Sequence, residues 1–323
     1  MSEISFEGKV AVVTGAGRGL GRAYARALAA RGALVVVNDY NVAIDGGPGD
    51  VEHPAESVTA ELRASGAEAV ANPDSIAEPE GAARIVAQAV DTFGGLDILV
   101  NNAGIGMCDN IEDEPGRLFH VNMNTTLLGT VLMTRAAWPH LAEHGRGRII
   151  NVSSGAIFGA SWADGGILGS YTYAKAGVFA ETRQIARYGE AFGIKANAVF
   201  PMGLARTNAE GDGAMAEGEF GEFFRKHLPA EAVANGALFL LTEDCPVSGQ
   251  GFSIGGGRVA RVVFAEPPGF FARDITPEQV RDNWAAVVGE VGEDDSLHGF
   301  LEVSSLEREF QLVAAASVGG DQG

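Results

Sequence analysis

Seven short apolar runs recur along the first 257 residues, and between them the chain turns polar with a helical period. The runs are residues 9–14 (KVAVVT), 33–38 (ALVVVN), a weaker one at 67–72, then 96–101 (LDILVN), 148–152, 195–200 and 251–254. Most are β-branched and lack the alternation of a half-exposed strand, so both faces of each are expected to be buried. Strands of that kind, spaced to leave room for helices, predict an α/β fold: a doubly wound parallel sheet of Rossmann type. Residues 1–257 read as this repeating core. Within it, 41–56 is a polar, Gly-rich insertion, and 207–226 reads as a loop with a short helix, of the kind that closes over a bound molecule. Beyond Gly257 the pattern changes. Residues 258–313 are expected to form a C-terminal extension packed on the same domain, and 314–323 a flexible tail. A helix is expected to open at Thr276, which can cap it, with Pro277 at the first helical position and Gln279 reaching back, and to run to about residue 288.

Composition narrows the classes. Lys and Arg total 23 against 42 Asp and Glu, a formal charge of −19. That argues against nucleic acid and anionic lipid as partners, since both need a basic face. No apolar run approaches the ~20 residues that span a bilayer, and the opening MSEISFEGK lacks the apolar segment of a signal peptide. Two cysteines, Cys108 and Cys245, make no disulfide framework, and a cytoplasmic location is expected. The segment His140 to His144 (HLAEH) fits an inverted zinc-protease pattern. Gly145 and Gly147 end that helix at once and no third ligand is evident, so no metal is expected.

The chemistry begins at TGAGRGLG, residues 14–21, between a strand and a helical stretch. Gly15, Gly19 and Gly21 permit a tight turn whose backbone N–H groups face a pyrophosphate at the helix N-terminus. Arg18 and Leu20 belong to the same loop. Asp39 closes the second strand 18 residues after Gly21, where a carboxylate accepts both hydroxyls of an adenine ribose and repels a 2′-phosphate. NAD is therefore the expected cofactor, although Arg18 in the loop could favour NADP. Tyr171 and Lys175 lie four apart, on one face of a helix. A tyrosine with a pKa of ~10 needs roughly 4 kcal/mol of favourable electrostatics to serve as a base at pH 7, and a fixed ammonium beside it supplies part of that.

TGAGRGLG, then NNAG at residues 101–104, then Tyr171-x-x-x-Lys175 resemble, in that order, the short-chain dehydrogenase/reductase family. The likeness covers roughly residues 7–257. It implies an oxidoreductase with a small-molecule substrate that works as a homodimer or homotetramer. It also implies that Asp74 and Ser75 flank the adenine, that Asn101, Ala103 and Gly104 line the cofactor, and that Pro201 frames the nicotinamide. In the resemblance Tyr171 is the base, Lys175 its partner, Ser154 rather than Ser153 the oxyanion donor, and Asn122 the holder of a relay water, with Asn124 its local competitor. Ser154 precedes Tyr171 by 17 residues. This exceeds the family's usual spacing, so extra residues within 162–169 are expected to bulge beside the site. Residues 32–39 and 276–284 are similar to a narrower branch, the dehydrogenase part of peroxisomal multifunctional enzyme type 2 and its bacterial single-domain relatives. That likeness implies a (3R)-3-hydroxyacyl-CoA substrate, with Arg206, Arg225, Lys226, Arg258 and Arg261 as candidate phosphate contacts. A steroid or terpenoid alcohol, or a non-catalytic NAD-binding role, stands as the alternative.

Overall fold

The computed structural model describes residues 3–43, 47, 49, 53–106, 112, 114–159, 169–203, 222, 223, 226–290, 301 and 302. Every apolar run becomes a strand: β1 (Val10–Thr14), β2 (Leu34–Asn38), β3 (Ala69–Asn72), β4 (Ile98–Asn101), β5 (Arg148–Val152), β6 (Lys195–Pro201) and β7 (Gly251–Gly255). They pair in parallel in the order β3-β2-β1-β4-β5-β6-β7. Sequence order runs outward in both directions from the β1/β4 boundary, which opens a crevice at the carboxyl ends of those two strands.

Alternate residues of each strand feed two cores, which is why the runs show no polar face. Ala11, Val13, Val35 and Val37 join α1 (Gly19–Ala29), α2 (Pro54–Ala64) and α7 (Ala230–Ala237) on one side. Val10, Val12 and Val36 meet α3 (Pro79–Phe93), α5 (Gly129–Glu143) and α6 (Gly169–Gly189) on the other. Local chemistry sets the helix ends. Pro79 starts α3, and Gly94, at φ 87°, stops it in the left-handed conformation with its N–H on Val90 O. The helix from α4 (Arg117–Asn122) into α5 is interrupted by a π turn over Met123–Leu128.

Three boundaries differ from the sequence reading. Helix α2 begins at Pro54, inside the segment read as insertion 41–56, with Pro54 itself in the first turn. The core does not end at Gly257. Gly256 and Gly257, at φ 57° and 79°, make a two-residue turn that only glycine adopts without strain, and β8 (Arg258–Val262) joins the sheet beside β7. Two compact units result, residues 1–261 and 262–323. In the second, β9 (Ala265–Glu266) pairs antiparallel with β10 (Leu301–Glu302). Thr276 and Gln279 form the expected reciprocal cap, but the helix is split at Asn283 into α8 (Pro277–Asp282) and α9 (Trp284–Val288). Residues 162–168, 207–221 and 303–323, with Cys108, Arg206 and Arg225, lie outside the described residues.

Candidate active site

A cavity of about 420 Å³ opens at the carboxyl ends of β1, β2, β4, β5 and β6. The first turn contributes Gly15, Arg18, Gly19 and Leu20 to its wall, and Asp39, Asp74 and Ser75 follow from the ends of β2 and β3. Ala103, Gly104 and Pro201 enter from β4 and β6, and Tyr171 and Lys175 from α6. Four expected residues are not on that wall: Gly21, Asn101, Asn122 and Ser154.

Gly21 sits beneath the turn. A Cβ there would lie 2.1 Å from Gly15 O and 2.5 Å from Asn102 Nδ2, so its work is close packing of α1 against the strands. Asn101 is buried and clasps the scaffold instead of facing the cavity, its amide donating to Thr134 Oγ1 (3.2 Å) and Asn151 Oδ1 (2.9 Å). The next residue, Asn102, points the other way and is on the wall. It donates to Thr14 O and Gly15 O, pinning the glycine turn to β4. The period of two along a strand separates these two asparagines, which the NNAG motif alone does not.

The turn itself is prepared for an anion. Helix α1 has no side-chain cap and no acidic residue in its first turn, so its leading N–H groups point at the cavity without a carboxylate of their own. Asp39 holds the turn from the far side: Gly17 N–H donates to Oδ2 at 3.0 Å and Asn41 N–H to Oδ1 at 2.8 Å. Arg18 reaches Asn41 Oδ1 at 3.4 Å. This uncapped helix start, the turn that cannot hold a Cβ and the carboxylate after β2 fit a nicotinamide dinucleotide.

At the other end Lys175 is only 4% exposed. Its Nζ donates to Val152 O at 2.6 Å and lies 5.8 Å from the Tyr171 ring centroid. Burial pushes the Lys175 ammonium down to about 8. Ser153 Oγ donates to Lys175 O at 2.8 Å, committing that hydroxyl to the helix backbone. Ser154 caps a 3₁₀ turn (Gly155–Phe158), its Oγ accepting Ala156 N–H at 3.1 Å, and retains its own proton to donate.

Asn122 is buried off the wall and donates to Ser170 Oγ at 2.9 Å, behind Tyr171. The position expected of it beside Lys175 has a different neighbour. A Cβ built on Gly104 would lie 3.1 Å from Thr126 Oγ1 and 3.4 Å from Lys175 Nζ, so Thr126 and Lys175 flank the same glycine. Thr126 falls within the π turn, whose extra residue rotates the helix phase, and counting along a regular helix does not find it. Asn124 and Thr125, in the same turn, are on the cavity wall. Among the described residues no group of three His, Cys, Asp or Glu side chains could hold a metal.

The family model described as short chain dehydrogenase matches residues 9–214, which hold β1 to β6 and every residue of this cavity wall. This chain is a short-chain dehydrogenase/reductase. Among the relatives of this dehydrogenase is the peroxisomal multifunctional enzyme type 2 of Mus musculus, 36% identical over 88% of this chain and 37% of that one. A short-chain type dehydrogenase/reductase of Mycobacterium tuberculosis is 35% identical over 86% of this chain and 93% of its own. The crystal structure of a short chain dehydrogenase from Mycobacterium avium, 33% identical, superposes with a TM-score of 0.70 over 87% of this chain and 96% of that one. The dehydrogenase spans little more than a third of the length of the mouse relative.

Proposed function

We propose that this oxidoreductase uses NAD to oxidise a secondary alcohol, and that the alcohol is a (3R)-3-hydroxyacyl-CoA. The observation that carries the reading is one cavity with Asp39 and an uncapped helix N-terminus at one end and the Tyr171–Lys175 pair at the other. When bound, the nicotinamide supplies the hydride acceptor. Tyr171 takes the hydroxyl proton as the carbinol hydrogen leaves with its electron pair, and the product is a ketone. Lys175, held by Val152 O, places positive charge beside the phenol and favours its ionised form. Ser154, with its own O–H left to give, steadies the developing oxyanion.

The acyl-CoA substrate is supported by the likeness to the multifunctional-enzyme branch. A polyanionic thioester must find local cations on a chain of charge −19. Lys226, Arg258 and Arg261, all exposed, are candidates. Leu128, Tyr173 and Tyr188 are exposed on the π turn and α6. We take this face to be the contact of a homodimer or homotetramer, to be weighed by light scattering of the purified chain. No helix of the described residues is long and apolar enough to cross a membrane. We place the enzyme in the cytosol, with the peroxisome as the alternative that the relatives' names raise; cell fractionation separates the two.

The test is reduction of NAD, and separately NADP, by purified enzyme offered a (3R)-3-hydroxyacyl-CoA, its (3S) epimer and a 17β-hydroxysteroid. Turnover of the (3R) thioester with NAD is expected. Turnover of the steroid alone would sink the thioester reading. Tyr171→Phe is expected to lower kcat by at least ~10²-fold while NAD affinity stays within a few fold. An unchanged kcat would remove Tyr171 from the chemistry.

A further inference from the structure

A second cavity, of about 330 Å³, opens at the amino ends of β1, β4 and β5, the edge of the sheet opposite the active site. Its wall is densely charged, and most of that charge is matched in place. Glu243 Oε1 accepts from Lys9 Nζ at 2.9 Å and lies 3.6 Å from Arg146 Nη1. Asp97 Oδ1 stands 3.8 Å from the same lysine, and its Oδ2 accepts Val10 N–H at 3.0 Å. Glu3 and Asp244, also on the wall, are exposed and solvated.

Arg148 is different. It opens β5, is only 6% exposed, and bonds to carbonyls alone. Its Nε donates to Thr242 O at 3.0 Å, and its Nη1 to Gly147 O at 2.9 Å and Gly193 O at 3.2 Å. These bonds use three of the five N–H groups of a guanidinium. Among the described residues Nη2 has no acceptor, and no carboxylate pairs with the group. A cation buried without its counter-charge bears a desolvation cost with nothing to offset it. Burial accordingly holds the Arg148 guanidinium below the ordinary arginine value. Clamping the Thr242 and Gly193 carbonyls needs Nε and Nη1 only, so the fold leaves two donors and a positive charge to spare on the wall of an open cavity.

We infer that this cavity is a second ligand site, which takes a small oxyanion, a phosphate or a carboxylate, on Arg148 Nη2. The anion supplies the missing counter-charge and accepts the two remaining N–H groups in charge-assisted hydrogen bonds. Glu3 and Asp244 repel a bare anion but accept from hydroxyls, so a hydroxylated oxyanion is the class favoured. The two cavities share no residue, and this site stands apart from the dinucleotide reading.

The experiment titrates glycerol 3-phosphate and, separately, malate into the purified enzyme by calorimetry, with chloride matching the ionic strength. Wild type is expected to bind one or both with a Kd of about 1 mM or tighter, and the arm that binds identifies the oxyanion. Arg148→Met should weaken that binding roughly tenfold or more. Ile4 is exposed on the same wall, so Ile4→Trp should fill the cavity, abolish the binding and leave the melting temperature of the free enzyme within a few degrees of wild type. That variant carries the test if Arg148→Met does not fold. Arg18→Gln, in the other cavity, should keep the affinity within about twofold. Absence of binding to wild type would overturn the inference, as would binding that survives Ile4→Trp. Loss confined to Arg18→Gln would place the anion at the glycine turn and overturn it as well.

Discussion

Lys175 keeps an ammonium in a place that resists one, donating to the Val152 carbonyl at 2.6 Å. Its pKa falls from the ordinary lysine value to about 8 through burial. Between about pH 8 and the unfolded value near ~10.4 the folded state holds fewer protons than the unfolded state. Stability therefore rises with pH across that window, and below it the charge costs the fold on the order of 3 kcal/mol. Lys175→Met should lose turnover yet resist denaturant better at pH 7, and its advantage should shrink toward pH 10. Urea midpoints at the two pH values measure this, and a less stable variant at pH 7 would contradict it. Gly21 makes the opposite demand. Gly21→Ala places a methyl 2.1 Å from the Gly15 carbonyl oxygen, so backbone must move. A loss of about 2 kcal/mol or more and a weakened dinucleotide affinity are expected together, by melting curve and titration.

Elements carry the next level, and the first pair of helices shows how. Glu61 on α2 accepts from Arg22 and Arg26 on α1, each at 2.6 Å, which fixes the helix that presents the glycine turn. The Arg26 hydrogen bond, then the Arg22 one, holds the Glu61 carboxyl at about 2. Its contribution is present above the unfolded carboxylate value and is lost as pH falls through about 2. All three side chains are more than a third exposed, so Glu61→Gln should cost under about 1 kcal/mol, a difference that fades in high salt. Thermal melts at low and high ionic strength decide it. Strands were legible because burial on both faces leaves an unbroken apolar run. Strand β8 was not, since its Gly256-Gly257 turn looks like the end of the pattern and its Arg258 and Arg261 are polar and exposed. Tyr171 and Lys175 could be read because a regular helix preserves four-residue spacing. Thr126 could not, because a π turn does not, and the Asn101/Asn102 exchange needed the strand's facing, which a motif does not state.

At the scale of the molecule a charge of −19 leaves the binding of an anionic dinucleotide to local features, a helix start with no acidic residue in its first turn and the cations Arg18 and Lys175 on the cavity wall. The sheet has a further consequence, for time rather than for energy. Its centre joins β1 to β4, pairing Ala11 with Ile98, and the strands between them in sequence lie to one side. Neither central strand can find its neighbour by a local turn, so a long stretch of chain must close before that contact returns anything. Refolding from denaturant should accordingly take milliseconds to seconds or longer. Its yield should fall as protein concentration rises, because runs such as VAVVT and LVVVN wait uncovered meanwhile. Stopped-flow fluorescence over a concentration series would show it. Completion within a microsecond-scale phase, at a yield indifferent to concentration, would mean that the two halves of the sheet assemble without waiting for each other.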